Sequence, residues 1–430
     1  MLRFPDTNGE CMITRIAERA NIAARAMATL SERKRNAALT AIADALVTNA
    51  ERIEAANAAD LASAHDLAAP LQKRLAFGRE KVADAARGVL ALRGLADPVG
   101  RVLSRRELDK GLLLEQVSCP IGVTGVIFES RPDALVQIST LCLKSGNAAL
   151  LKGGSEAMRT NRIVADIIIA ATAKAGMPEG WMALLETRAD VAEMLKLDDL
   201  IDLVIPRGSN AFVRHIMDTS RIPVMGHADG ICHVYVDAKA DVSMALDITV
   251  DSKTQYVAVC NAAETLLVHK AIAKKFLPTL KERFEGKVEL RGCERTRAII
   301  ACAPATEEDW KTEYLDTILS IKIVDSLDDA IAHINCYGSR HTDAIVTSNV
   351  KAAETFMERV DSADVFWNAS TRFADGYRFG LGAEVGISTS KIHARGPVGL
   401  EGLLIYKWKL RGKGHVVKDY AEGRKTFRWV

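Results

Sequence analysis

The chain has 430 residues, of which 48% are hydrophobic and 26% are charged, and its formal net charge at pH 7 is +2. This composition is typical of a folded globular protein rather than a disordered one, and the length predicts two or three domains. A net charge so close to zero gives no support for binding to nucleic acid or to an anionic membrane surface.

Neither export nor membrane insertion is indicated by the sequence. The N-terminus, MLRFPDTNGECMIT, lacks the charged start and apolar core of a signal peptide, and the most apolar long run, 163–173, is too short to span a bilayer. The eight cysteines include no CxxC pair, so neither a zinc ribbon nor a thioredoxin-type site is predicted. We therefore expect a cytoplasmic protein with reduced thiols and assign it no metal.

The first part of the chain is predicted to be helical and the next part to alternate strands with helices. Residues 12–95 are rich in alanine, and their apolar residues recur with helical periodicity, which predicts several amphipathic helices. Strands are then predicted at 123–128, 148–152, 181–185, 203–205, 224–225 and 234–236, and helices at 133–144, 156–175, 191–195 and 210–219. This alternation is typical of a parallel sheet covered by helices on both faces.

A second alternating series begins near Asp241 with a helix that extends to about Tyr256. Strands are predicted at 266–268, 298–301, 321–324 and 344–346, and helices at 270–285 and 327–334. A glycine-rich stretch follows from Trp367 to Gly402, and the last thirty residues are basic and strand-like. The fold class is therefore α/β, with two doubly wound domains.

Two segments at predicted strand ends suggest contacts with a phosphorylated ligand. In LLKGGS (150–155), a buried strand ends in a lysine and two glycines, where ligands of open α/β sheets bind. In IPRGSN (205–210), an arginine precedes a serine that suits a helix N-cap, and the helix start would favour a pyrophosphate. The alternatives are a solvated lysine beside a tight turn and an ordinary capped helix.

Two other segments need separate interpretation. The glycine-rich GLGAEVG (380–386) resembles a dinucleotide fingerprint but has one residue too many and lacks the strand–turn–helix context, so we interpret it as a substrate or anchor loop. Cys260 lies between a predicted helix and a predicted strand, and a thiolate there would be a strong nucleophile. Seven other cysteines compete with it, and spacing alone does not choose among them.

Taken together, these segments resemble the aldehyde dehydrogenase superfamily and, within it, the branch that reduces γ-glutamyl phosphate. The blocks that carry the resemblance are PIGV (120–123), FESRPDA (128–134), LKSGN (143–147), LLKGG (150–154), CNAAETLL (260–267), WNASTRF (367–373), HARGP (393–397) and GLEG (399–402). The resemblance implies a Rossmann-like cofactor domain of 1–97 and 120–245 and a catalytic domain of 246–395. It also implies an oligomerisation hairpin at 98–119 that pairs with strands in 403–430.

The resemblance also implies roles for individual residues. Cys260 corresponds to the nucleophile, and Arg131 stands where a side-chain donor would bind the oxyanion or the leaving phosphate. The implied cofactor is NADPH, held by Lys152, Ser155, Arg207, Gly208, Ser209 and Glu313. The implied contacts to the substrate α-carboxylate and ammonium come from Asn368, Ser370, Thr371 and Arg372.

The implied reaction is the reduction of L-glutamyl 5-phosphate to L-glutamate 5-semialdehyde through a cysteine thioester, in proline biosynthesis. Met225, or alternatively His227, stands where hydrolytic relatives have a glutamate base, and Ser155 stands where NAD-preferring relatives have a glutamate. A homo-oligomer (dimer or tetramer) and a separate glutamate kinase are the implied partners. A hydrolytic NAD(P)-dependent aldehyde dehydrogenase and a non-catalytic member of the fold are the alternatives.

Overall fold

The structure, a computed structural model, describes residues 12–428 except 65, 66, 68, 130 and 228, so the outer ends of the segments 1–97 and 403–430 lie outside the described residues. The chain divides into two compact units. One comprises Met1–Gly208, His215–Met225 and Val398–Val430, and the other comprises Ser209–Arg214 and Gly226–Pro397. Among the described residues, no helix is both long and apolar enough to cross a membrane.

Helices dominate the beginning of the first unit, as the alanine-rich periodicity predicts. They are α1 (Met12–Met27), α2 (Glu32–Thr48), α3 (Ala50–Ser63), α4 (Ala69–Leu75) and α5 (Arg79–Gly94). The rest of the unit contains β1 (Val102–Asp109), β2 (Leu112–Pro120), β3 (Val123–Phe128), α6 (Pro132–Ser145), β4 (Ala148–Lys152), α7 (Met158–Lys174), β5 (Met182–Leu185), α8 (Arg188–Met194), β6 (Leu203–Arg207), the second half of α9 (Asn210–Thr219), β16 (Leu404–Arg411) and α15 (Val417–Ala421).

Four of these strands form a parallel sheet in the order β5-β4-β3-β6. Every residue of strand β3 is buried, including Thr124, as its largely apolar sequence VTGVIF predicts. Helix α6 ends at Gly146, whose φ of +77° places it in the left-handed region that glycine adopts at low cost. Because the strands are parallel, Lys152 lies opposite Ile127 and Arg207 lies opposite Phe128, all at the carboxyl edge of the sheet.

A separate antiparallel sheet has the strand order β1-β2-β16. Strand β2 pairs with β1 through a tight turn at Gly111 and with β16 along all eight residues of that strand. After Leu404, every residue of β16 is exposed, including the large side chains Tyr406 and Trp408.

The second unit is built on a parallel sheet of seven strands in the order β10-β9-β11-β8-β7-β12-β13. Its elements are β7 (Cys232–Val236), α10 (Val242–Thr254), β8 (Ala263–His269), α11 (Lys270–Arg283), β9 (Glu289–Gly292), α12 (Glu294–Arg297), β10 (Ala303–Pro304), β11 (Ile318–Val324), α13 (Leu327–Tyr337), β12 (Thr342–Val346), α14 (Val350–Arg359), β13 (Asp364–Trp367), β14 (Gly386–Ser388) and β15 (Gly396–Val398). Strand β7, which the sequence analysis grouped with the cofactor domain, pairs here with β8 and β12.

The α/β fold class is confirmed, but two predicted strands are wrong. The segment 298–301 forms turns after α12, where Ile300 is buried in the core, and the strands on either side of it are β9 and β10. A short apolar run does not by itself distinguish a strand from a buried turn. The segment 224–225 forms only an isolated bridge, between Val224 and Val204.

Candidate active site

The carboxyl edge of the first unit's sheet carries three cationic residues. Lys152 ends β4 and Arg207 ends β6, on either side of β3. Arg131 follows β3 as the N-cap residue of α6, is exposed, and forms an ion pair with Asp133 at 2.9 Å. Guanidinium and ammonium groups at the carboxyl ends of adjacent parallel strands are a donor set that suits a ligand bearing phosphates.

In the turn after Lys152, side chains of the same unit lie close to the two glycines. A Cβ atom on Gly153 would lie 2.1 Å from Asn161 Nδ2, and one on Gly154 would lie 2.0 Å from Glu156 Oε1. Packing therefore requires glycine at 153, where the buried Asn161 and Phe128 leave no room, whereas the atoms nearest to a Cβ at 154 belong to the flexible end of the Glu156 side chain. Ser155 is exposed and lines a cavity of about 330 Å³ together with Glu156 and other side chains of this unit.

Gly208 and Ser209 are exposed and immediately precede α9, whose first turn begins with the bond from Val213 N to Ser209 O at 3.0 Å. The N–H groups of such a first turn point outward and carry partial positive charge. Within the second unit, Asn210 Nδ2 donates to Glu313 Oε2 at 2.5 Å and to Asp229 Oδ1 at 3.2 Å. Asn210 therefore links Ser209, the residue before it, to Glu313, two positions that the sequence analysis assigned to the cofactor.

Cys260 lies in a loop whose two ends are joined by a buried ion pair. Lys253, in the last turn of α10, contacts Glu264, in β8, at 2.6 Å, and both side chains are fully buried. Burial raises the pKa of Glu264 and lowers that of Lys253, since it disfavours both charges. The pair fixes the points at which the chain enters and leaves the Cys260 loop.

The interior of the Cys260 loop is held by close packing and hydrogen bonds. A Cβ atom on Gly230 would lie 2.3 Å from Cys260 O and 2.5 Å from both its Cα and its Cβ, so the Gly230 backbone packs directly against Cys260. Asn261 Nδ2 donates to Ala374 O at 2.8 Å, and Thr371 Oγ1 donates to Asn261 O at 2.7 Å. These contacts fix the position of a partly exposed thiol.

Two imidazole groups lie beside the Cys260 thiol. His341 Nε2 lies 3.2 Å from Cys260 Sγ, and His341 is fully buried. The ring of His227 is 4.9 Å from that of His341, edge to face, and its Nδ1 lies 2.9 Å from Ile387 O. The thiol and one nitrogen of each ring lie within 4.8 Å of one another.

Behind His341, a row of polar groups continues into the sheet. His341 Nδ1 lies 2.8 Å from Thr342 Oγ1, and the Thr342 hydroxyl donates to Asp364 Oδ2 at 3.3 Å. Burial raises the pKa of Asp364 to about 6. The Cys232 thiol donates to Cys260 O at 3.1 Å and lies 3.7 Å from His341 Nδ1.

The strand order explains why residues so distant in sequence meet here. Strands β8, β7, β12 and β13 are consecutive neighbours in the sheet, and they are parallel. Cys260 precedes β8, Cys232 begins β7, His341 precedes β12 and Asp364 begins β13. All four therefore lie at the amino edge of the sheet, opposite to the carboxyl edge that usually binds ligands in open α/β folds.

Other cysteines of the described chain differ in how their surroundings affect ionisation. Burial raises the pKa of Cys119, Cys302 and Cys232, and it raises that of Cys142 to about 11. At Cys293, burial opposes ionisation, but hydrogen bonds from Thr296 and nearby N–H groups outweigh it and lower the pKa. Cys232 and Cys260 both lie beside His341, at 3.7 Å from Nδ1 and 3.2 Å from Nε2 respectively, but of these two thiols only that of Cys260 belongs to a partly exposed residue.

The predicted substrate segment makes mostly internal contacts. Asn368 has a φ of +53°, and its amide bonds with the backbone N–H and C=O of Thr347 at 2.9 and 3.0 Å. Ser370 Oγ accepts from the Ser252 hydroxyl and from Arg372 N. Arg372 is 7% exposed, donates through Nε to Gln255 at 3.0 Å and interacts electrostatically with Cys260.

Sequence reasoning missed His341, Cys232 and Gly230 as neighbours of Cys260, and Thr342 and Asp364 as the groups behind His341. His341 is separated from Cys260 by 81 residues, and no motif spacing connects them. His227 was considered because it follows Met225, which is itself buried at 1% exposure. Only the order of the strands identifies the others.

Comparison with known proteins establishes the family. Residues 2–291 match the model of the aldehyde dehydrogenase family, and the chain belongs to this family of NAD(P)-dependent oxidoreductases. The chain is 62% identical over 416 residues to a γ-glutamyl phosphate reductase of Pelotomaculum thermopropionicum, with 96% of each chain covered. It is 61% identical over 419 residues to that of Acetivibrio thermocellus, with 97% of each covered.

A solved structure gives the same result. The crystal structure of γ-glutamyl phosphate reductase from Thermotoga maritima matches with a TM-score of 0.92 and 40% identity, covering 94% of this chain and 100% of that one. Within the aldehyde dehydrogenase family, the chain therefore belongs with the γ-glutamyl phosphate reductases, and the family assignment made from the sequence is confirmed.

Proposed function

We propose that this chain reduces L-glutamyl 5-phosphate to L-glutamate 5-semialdehyde with NADPH, through a thioester on Cys260. The observation that carries the proposal is the high identity, over nearly the whole chain, to proteins named γ-glutamyl phosphate reductase. The reaction belongs to proline biosynthesis, and a cytoplasmic location, where thiols remain reduced, suits it.

The proposed first step is attack of the Cys260 thiolate on the γ-carbonyl carbon of the acyl phosphate. The carbon–oxygen bond to phosphate then breaks, and a thioester remains on the sulfur. The backbone N–H of Cys260 is one proposed donor to the oxyanion. Arg131 is assigned to the oxyanion or to the leaving phosphate, on the basis of the family resemblance and its cationic side chain.

NADPH, when bound, supplies the hydride that reduces the thioester to the aldehyde. Lys152, Ser155 and Arg207 are proposed to hold it from the carboxyl edge of the first unit's sheet, which is where such a cofactor binds in α/β folds. Gly208 and Ser209 are proposed to face its pyrophosphate, because the helix that follows offers free N–H groups. Glu313, oriented by Asn210 at 2.5 Å, is proposed to bind a ribose.

Recognition of the amino-acid end is assigned to residues 368 and 370–372. The internal bonds of Asn368, Ser370 and Thr371 support a role in shaping this segment around the Cys260 loop. Arg372 is the charged member of the set, and we assign to it the pairing with the substrate α-carboxylate.

The test is oxidation of L-glutamate 5-semialdehyde by NADP with and without inorganic phosphate. We expect turnover only with phosphate, because the reverse reaction must release the acyl group to phosphate. Phosphate-independent formation of glutamate would instead identify a hydrolytic aldehyde dehydrogenase. This second candidate is retained because two imidazoles lie close enough to Cys260 to act on a water molecule.

The antiparallel sheet of β1, β2 and β16 is proposed to form the contact between copies of the chain, as a dimer or tetramer. The exposed aromatic residues of β16 support this assignment. Because the proposed substrate is a labile acyl phosphate, a separate glutamate kinase is the proposed source of it. Sedimentation of the wild-type protein and of a Trp408→Lys variant tests whether this sheet forms the contact between copies of the chain.

A further inference from the structure

The polar groups behind Cys260 have a defined hydrogen-bond direction. The hydroxyl of Thr342 has a single proton, and it donates this proton to Asp364 Oδ2 at 3.3 Å. The Thr342 oxygen therefore accepts from its other neighbour, His341 Nδ1, which lies 2.8 Å away. Since Nδ1 then carries the ring proton, the neutral imidazole presents a lone pair at Nε2, the atom that lies 3.2 Å from Cys260 Sγ.

We propose that His341 is a catalytic residue, the base that takes the proton from the Cys260 thiol, and that Thr342 and Asp364 act as positioning residues that keep its Nε2 free of a proton. This inference rests on the proposed role of Cys260 as nucleophile. A base at this position offsets an unfavourable effect of the fold, because Cys260 lies at the amino edge of its sheet, where the preceding helices end and their dipoles disfavour an anion.

The S–H bond breaks as a bond forms from His341 Nε2 to the proton, which leaves a thiolate beside an imidazolium. The sulfur then bonds to the acyl carbon, and phosphate leaves with the electron pair of the carbon–oxygen bond and takes a proton from solvent. When the reduced adduct collapses to the aldehyde, the sulfur leaves as a thiolate and recovers its proton from His341.

The charged and titratable neighbours of the relay are compatible with this direction. Asp364 has a pKa raised by burial to about 6, so it is largely ionised at pH 7 and accepts from Thr342, and the positive charge of Arg395 favours that ionised form. His341 also faces His227 and the Cys232 thiol, whose pKa burial raises, so Cys232 remains a neutral donor. Arg372, a buried cation, also interacts electrostatically with Cys260.

The experiment measures alkylation of Cys260 by iodoacetamide as a function of pH, with EDTA present and the Cys260 peptide quantified by mass spectrometry. His341→Gln retains a hydrogen-bonding group of similar length but no base. At pH 7 we expect its Cys260 to react at least 100-fold more slowly than in the wild type, in line with typical general-base contributions. The difference should shrink above pH 9, where a thiol ionises without help.

A matched control separates the chemistry from the effect of altering a buried histidine. His233 is also fully buried in this sheet and bonded to Asp343 at 2.8 Å, and within the described part of the chain the hydrogen bonds of its side chain do not include one to the Cys260 thiol. His233→Gln should leave Cys260 alkylation unchanged. Equal alkylation rates and pH profiles in the wild type and His341→Gln would overturn the proposal.

Thr342 provides a second test that does not depend on the folding of a His341 variant. Thr342→Val removes the hydroxyl at nearly constant volume, and we expect about 10-fold slower alkylation at pH 7, whereas Thr342→Ser should restore the wild-type profile. Equal rates of Cys260 alkylation in Thr342→Val and Thr342→Ser would overturn the positioning role of Thr342. Retained reductase activity in Cys260→Ser would refute the proposed function instead, and the alkylation result would still stand.

Discussion

Replacing Gly230 with alanine should inactivate the protein without unfolding it. The added Cβ would lie 2.3 to 2.5 Å from Cys260 O, Cα and Cβ, whereas ordinary contacts begin at 3.4 Å. Backbone atoms cannot rotate away, so the Cys260 loop must move by about 1 Å. Misplacement by this distance costs about 100-fold in rate, and overpacking costs about 1–3 kcal/mol of stability.

Turnover with NADPH, the midpoint of urea unfolding and the alkylation rate of Cys260 measure the three effects separately. Gly88→Ala is the matched control, since no atom lies within 4 Å of its added Cβ and it lies within helix α5. That variant should keep its full activity and gain up to about 1 kcal/mol of stability. Wild-type turnover in Gly230→Ala would show that the position of Cys260 is not fixed by this contact.

Four further substitutions test the assignments. Cys260→Ser should abolish reduction but leave NADPH affinity, measured by fluorescence titration, near that of the wild type. The control variant Cys293→Ser should remain active. Substantial turnover in Cys260→Ser would contradict the covalent route. Arg131→Ala should lower kcat about 100-fold with little change in NADPH affinity, and an unaltered kcat would remove Arg131 from the site. Ser155→Glu places a carboxylate in the proposed ribose site and should raise KM for NADPH about 10-fold relative to NADH; equal changes in both KM values would argue against that location. Asp364→Asn tests linkage. The native pKa of Asp364, near 6, exceeds the unfolded value of about 3.9, so the native state binds more protons between pH 4 and 6. As the pH rises through this window, the free energy of unfolding should fall by about 3 kcal/mol more in the wild type than in Asp364→Asn, since Glu264 titrates in both proteins. Parallel unfolding curves for the two proteins at pH 4 and 7.5 would refute that reasoning.

The sequence was sufficient to predict strands whose apolar runs are bounded by turn residues. The predicted strands 123–128 and 148–152 coincide with β3 and β4. Prediction failed where tertiary pairing, rather than local composition, creates a strand. Strand β9, ELRG, has only one large apolar residue and forms because β10 and β11 pair with it on both sides.

The candidate site was predictable only in part, for a topological reason. The assignment of Cys260 as nucleophile required resemblance to a family, since eight cysteines were available. His341 and Asp364 carried no local signal of the site. The hydrophobic periodicity of a single strand does not determine which strands become its neighbours in a parallel sheet. Gly230 likewise carries no local signal of its contact with Cys260.

Replacing the buried pair of Lys253 and Glu264 offers a way to change both the unfolding temperature and the mobility of the residues around Cys260. Two charges enclosed in a protein interior add little net stability, and a matched apolar pair such as Lys253→Met with Glu264→Leu often unfolds at a higher temperature. Removing only one partner leaves the other charge buried without a counter-ion and lowers the free energy of unfolding by about 3–5 kcal/mol. The double replacement would also free the residues between them to sample other conformations, so an engineered chain would be expected to survive heating yet react with a wider range of acyl groups.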